Sequence, residues 1–176
     1  MSAGSSFQVG NVAMSVVRMM LLRGSPERIL YSRKLFIASL LSALLLSGLA
    51  QWLFHGDRPE FVILRVFAET TMFMVWIVLL TAKVARLRLA SMMLSLVLMS
   101  ALIDALLALL GLVLPVGVRV FVSAAAGAVL LYGGASVLAW ALRKELLYGG
   151  MHVAGYAIAV YALDASFRHL FGMMVS

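Results

Sequence analysis

Five apolar runs divide this chain, each about as long as the 20 residues a helix needs to cross the hydrocarbon core of a bilayer. They cover residues 35–54, 61–82, 89–114, 116–142 and 149–175. The first carries no charge. The second is interrupted by Arg65 and Glu69, the third by Asp104, and the fourth by Arg119 near its start. The fifth contains His152, Asp164, Arg168 and His169. Backbone N–H and C=O groups find no partner in lipid, so runs of this length read as helices and not as strands. Only Pro115 separates the third run from the fourth, which predicts a tight hairpin. Six-residue turns at 55–60, 83–88 and 143–148 link the others and leave no room for a water-soluble domain. The fold class is therefore all-α, a polytopic bundle of five transmembrane helices over residues 35–176.

Residues 1–34 follow a different pattern. Gln8, Asn11, Ser15 and Arg18 form a polar stripe at helical spacing, while Val9, Val12, Val16, Met19 and Met20 cover the other side. This predicts an N-terminal amphipathic helix, lying in the membrane interface or packed against the cytoplasmic end of the bundle. Gly24 stops that helix. Ser25-Pro26-Glu27 starts another, with Ser as N-cap, Pro in the first turn and an acid beside the helix N-terminus. Gly48-Leu49-Ala50 has the small residues of a cleavage site. With 34 residues ahead of an apolar run twice the usual length, a signal peptide is not the expectation.

Composition agrees with the pattern. Hydrophobic residues make up 64% of the 176 and charged residues 12%, against about 45–50% and 25% in soluble domains. The net charge of +7 does not point to nucleic acid, because the basic residues lie between apolar runs and not along one face. They also set an orientation. Arg18, Arg23, Arg28, Arg33, Lys34, Lys83, Arg86, Arg88, Arg143 and Lys144 share one side, against Arg58, Arg119 and Arg168 on the other. By the positive-inside rule the N-terminus is cytoplasmic and the C-terminus outside.

Ionisable residues inside a span are costly and mark candidate sites. With a rise of ~1.5 Å per residue, Arg65 and Glu69 lie about 6 and 12 Å below the outer surface, and Asp104 and Asp164 about 22 Å from the cytoplasmic one. Arg65, Glu69, Asp104, Arg119, Asp164 and Arg168 thus share the outer half of the bundle. Arg65 with Glu69 and Asp164 with Arg168 stand one helical turn apart and are expected to pair. Asp104 has no such neighbour and is expected to reach Arg65 or Arg119 on another helix. One reading is an ion-pair network that fixes helix packing, with Arg119 and Arg168 snorkelling to headgroups. The other is an outward-opening pocket for a lipid headgroup, an ion or a proton.

The fourth run has a candidate packing face. Ser123 and Gly127 give small-xxx-small spacing, and Gly134 continues it seven residues on, a surface for another helix of this chain or of a second copy. No cysteine is present, which removes disulfides, thiolate metal sites and cysteine nucleophiles. The histidines are far apart along the chain and form no metal site. No serine has a His–Asp set beside it, and Gly133-Gly134 and Gly149-Gly150 are not phosphate loops. No cofactor is implied.

Several stretches together resemble a known family. The basic amphipathic start, the segment Arg23-Gly24-Ser25-Pro26-Glu27, the basic-led helix over 87–115 ending in Leu-Pro, and residues 140–172 with a Trp-containing helix end before Arg143-Lys144 are similar to Yip1-type five-span integral membrane proteins, in particular small bacterial members. The resemblance implies a fold of five closely spaced spans and a non-enzymatic role. In eukaryotes such proteins are associated with vesicle trafficking and bind small GTPases through cytoplasmic regions. The 34 residues available here lack an acidic recognition segment, and a bacterial inner membrane suits the chain better. The leading expectation is an accessory or organising component that acts in the lipid bilayer through another membrane protein or self-association. The alternative is a small transporter or lipid-handling protein using the outer charged pocket.

Overall fold

In the computed structural model the described residues are 14–15, 17–18, 32–55, 59–84 and 86–175. Among them there is helix and no strand. Five helices are each long and apolar enough to cross a membrane. We label them α1 (Arg33–Ala50), α2 (Pro59–Thr81), α3 (Arg86–Val113), α4 (Val116–Leu142) and α5 (Leu146–Val175). Residues 14–15 and 17–18 are helical. The rest of the amphipathic segment, and the Ser25-Pro26-Glu27 start, lie outside the described residues.

Each boundary has a local cause. Pro59 opens α2 with Glu60 in its first turn, where a missing N–H costs nothing and an acid faces the positive end of the helix dipole. Pro115 precedes α4 in an extended conformation (φ −60°, ψ 147°), so α3 cannot run on into α4. Arg143 ends α4 in the left-handed region (φ 54°, ψ 42°), and the Lys144 N–H returns to the Ala139 carbonyl at 3.0 Å. Helix α5 begins at Leu146, three residues earlier than the hydropathy pattern predicts, and α3 begins at Arg86 instead of 89. Polar residues flank both starts, and backbone hydrogen bonds, which hydropathy does not register, carry the helices through them.

The helices alternate in direction, so the bundle has two ends. One carries Arg33, Lys83, Arg88, Arg143 and Lys144 (the basic end), and the other carries the junction at Pro115 (the Pro115 end). Helix α1 packs chiefly on α3 and α5 chiefly on α4, with α3 joining the two pairs. Helix α2 lies more loosely, touching α1 and α5. Toward the basic end the core is Ile77, Leu80, Met92, Leu94, Met99, Val137, Leu138 and Val153. Toward the Pro115 end it is Ala50, Phe54, Ile103, Leu107, Ala108 and Ala126.

Two glycines set how these helices cross. A Cβ on Gly149 would collide with the Ala135 carbonyl and lie 2.8 Å from the Ala139 nitrogen, so α5 touches the α4 backbone there. Farther along, an added Cβ on Gly127 would meet nothing within 4 Å, and a groove opens there between the two helices. The α4–α5 hairpin is therefore closed near the basic end and splayed beyond it. At Gly111 a Cβ would lie 2.8 Å from the Leu53 carbonyl. There α3 rests on a π-helical turn, Gln51–His55, that ends α1.

Candidate functional site

Three of the six ionisable residues singled out above meet. Arg65 Nε lies 3.0 Å from Glu69 Oε1 on the same helix and 3.1 Å from Asp164 Oδ1 on α5. The first pair is the one expected from spacing; the second is a cross-helix bond that spacing does not reveal. Gln51, on the π turn, donates from Nε2 to Glu69 Oε2 at 3.2 Å. Its Oε1 is buried and has no hydrogen-bond partner among the described residues. By helix rise the group lies about 9–16 Å in from the Pro115 end.

Asp104 does not pair as expected. Its partner is Ser100, four residues earlier on α3, whose hydroxyl donates to Oδ2 at 3.2 Å. Hydroxyl and carboxylate satisfy each other within one helix, so no arginine is required. The side chain of Arg168, and with it the expected Asp164–Arg168 pair, lies outside the described residues.

Arg119 departs most from expectation. It neither meets Asp104 nor extends freely toward headgroups. Nε donates to the Leu114 carbonyl (3.0 Å), Nη1 to Leu53 (3.0 Å) and Phe54 (2.9 Å), and Nη2 to Gly111 (2.8 Å). Its guanidinium also sits 5.8 Å from the centre of the Phe54 ring. Leu53 and Phe54 lie on the π turn that follows α1, and Gly111 and Leu114 at the end of α3, where backbone carbonyls outrun the intrahelical N–H donors. Arg119 caps two helix C-termini at once, where a cation complements both dipoles.

Two cavities adjoin the charged group. A smaller one of about 130 Å³ lies between α1, α2, α3 and α5, with Ser47, Glu69, Thr70, Ser100 and Tyr156 among its walls. A larger groove of about 440 Å³ follows the splay between α4 and α5. Arg65, Ser100 and Asp164 face it together with Phe73, Trp76 and Tyr156, and its rim includes Gly127, Leu131 and Tyr161. Tyr161 is 75% exposed, on a surface that meets lipid when the spans cross a bilayer. The two spaces share Phe73, Leu96, Ser100 and Tyr156 as walls. Trp76 and Tyr156 stack with ring centres 4.6 Å apart, and Phe73 meets Tyr156 edge-on at 6.3 Å.

The small-residue face of α4 divides by position. Gly134 is consumed inside the molecule, where a Cβ would lie 3.3 Å from Val153 of α5. Gly127 borders the groove, and Ser123 lies beside Arg119 and Phe54 in a separate hollow. Sequence reasoning passed over Gln51, Ser100 and Tyr156, because none carries a charge. The one available signal was Ser100 standing four residues before Asp104, within hydrogen-bond reach on a helix. Among the described residues no three of His, Asp and Glu converge as metal ligands. Comparison with protein-family models, with curated proteins and with solved structures gives no match.

Proposed function

We propose that this chain is a non-enzymatic multi-pass membrane protein that holds an amphipathic small molecule in the α4–α5 groove, as a lipid-handling protein or small transporter does. The observation that carries this reading is the groove itself: apolar at its rim, opening sideways between helices, and ending on the Arg65–Asp164 pair. A network serving only to fix packing needs no such space beside it. The charge distribution along the loops supports a cytoplasmic N-terminus, which puts the groove in the outer half of the bilayer; a bacterial inner membrane is the location we propose.

The test is extraction of the protein from native membranes in a lipid-preserving polymer, followed by mass spectrometry of what accompanies it. An amphiphile in near-stoichiometric amount, lost when Gly127→Trp plugs the rim, is the expected result. An unchanged lipid profile in that variant overturns the reading.

A second reading has its own support. The Yip1-type resemblance and the open face at Gly127 favour an accessory or organising component that docks another membrane helix there. Recovery of a stoichiometric membrane protein in the same experiment, displaced by Gly127→Trp, favours this role.

A further inference from the structure

The groove's chemistry narrows what it holds. We infer that its ligand is an amphipathic amine, bound with its ammonium toward the carboxylates and its apolar body along α4 and α5; this rests on the groove reading above. Acceptors outnumber cations around the inner wall, where Asp164 faces the groove, Glu69 faces the adjoining smaller cavity and Asp104 accepts from Ser100, a wall of both. Glu69, Asp104 and Asp164 supply three carboxylates, and Arg65 is the one guanidinium described beside them. Counting Arg168 from its position in the sequence leaves the excess on the acidic side. Arg119 does not redress it, since its donors go to four backbone carbonyls. Behind Glu69, Gln51 adds a further acceptor: the residue is 5% exposed and its Oε1, on the side chain that binds Glu69, has no donor among the described residues. A group bringing N–H donors and positive charge suits these surroundings better than a phosphate or carboxylate does.

The remaining walls agree. Phe73, Trp76 and Tyr156 present a packed set of rings to the groove, and aromatic faces attract cations most strongly where water is excluded. The apolar rim suits a hydrocarbon body. At about 440 Å³ the space falls within the ~300–1,000 Å³ of small-molecule sites.

Two sources share this chemistry, a free lipophilic amine and the ammonium of an aminophospholipid, and one experiment separates them. Full-length protein carrying Trp52→Phe and Trp140→Phe, so that Trp76 alone reports, is placed in phosphatidylcholine nanodiscs. It is titrated with octylammonium, octanol and octyl sulfate. Octylammonium is expected to change Trp76 fluorescence saturably, with an apparent affinity about tenfold or more above octanol, a difference typical of one added charge interaction, and octyl sulfate to bind least. Glu69→Gln and Asp104→Asn are expected to shrink the amine–alcohol gap. Because the probe series is run on otherwise wild-type protein, a variant that fails to fold leaves the result intact. Equal binding of the three probes overturns amine selectivity while leaving a groove that takes amphiphiles. No saturable binding of any probe overturns the groove reading as well. Repeating the titration in nanodiscs rich in phosphatidylethanolamine then identifies the source: competition points to the lipid headgroup, and an unchanged affinity to a free amine.

Discussion

Arg119 and Arg65 lie toward the same end of one bundle, each drawn in from an apolar run, and they are satisfied in opposite ways. Arg119 spends its donors on backbone carbonyls from α1 and α3. Arg65 turns to carboxylates on α2 and α5 that border open space. The carbonyls are fixed dipoles, present in any sequence that takes this fold, and their arginine is a structural fastener. The carboxylates are side chains whose burial is costly and whose neighbours include two cavities. Within a membrane, a charge matched to backbone signals architecture, and a charge matched to other charges beside a cavity signals a site.

The sharpest way to break this comparison is Arg119→Ala. It strips a partner from four carbonyls at two helix ends, and we expect about 2–4 kcal/mol of destabilisation in reversible unfolding from bicelles. A loss no larger than that of Arg65→Ala would remove the distinction. Gly111→Ala comes next. Its Cβ must displace the Leu53 backbone, and overpacking of this kind costs about 1–3 kcal/mol, measured the same way.

Asp164→Asn is expected to cost less, about 1 kcal/mol, as polar contacts between membrane helices usually do. It should nevertheless weaken octylammonium binding to Trp76-reporting protein. Unaltered binding would move Asp164 into the structural class with Arg119. The smallest effect on stability belongs to Gly127→Leu, within about 0.5 kcal/mol, because nothing occupies the space its side chain enters. The same variant should block the groove rim, read as lost amine binding.

The five spans were legible because hydropathy over 20 residues is a property of each segment alone, and in the structure five helices long and apolar enough to cross a membrane stand in their places. Partners were harder to read. Spacing found Arg65 with Glu69, one turn apart on the same helix. It did not find Arg65 with Asp164, since which helices adjoin depends on glycines such as Gly149 whose role emerges only in the packed bundle. Arg119 was matched to an acid that it does not meet, because reasoning over charged side chains overlooks backbone oxygens. Every residue has one, and a π turn at Gln51–His55 cannot be told from the ordinary helical sequence around it. Gln51 and Ser100 were missed for a related reason: an amide and a hydroxyl leave no mark in a charge count.

The double cap also has a consequence in time. The Leu53 and Phe54 carbonyls are 66 and 65 residues upstream of the arginine that donates to them. At about 5–20 residues per second of synthesis, the end of α1 is made roughly 3–13 s before Arg119. Throughout that interval the first hairpin stands in the membrane with an unfinished terminus. A ribosome-arrested chain ending shortly before residue 119 should therefore be markedly more sensitive to membrane proteases than one ending after α4, so that the arrival of the fourth span is the step that seals the first.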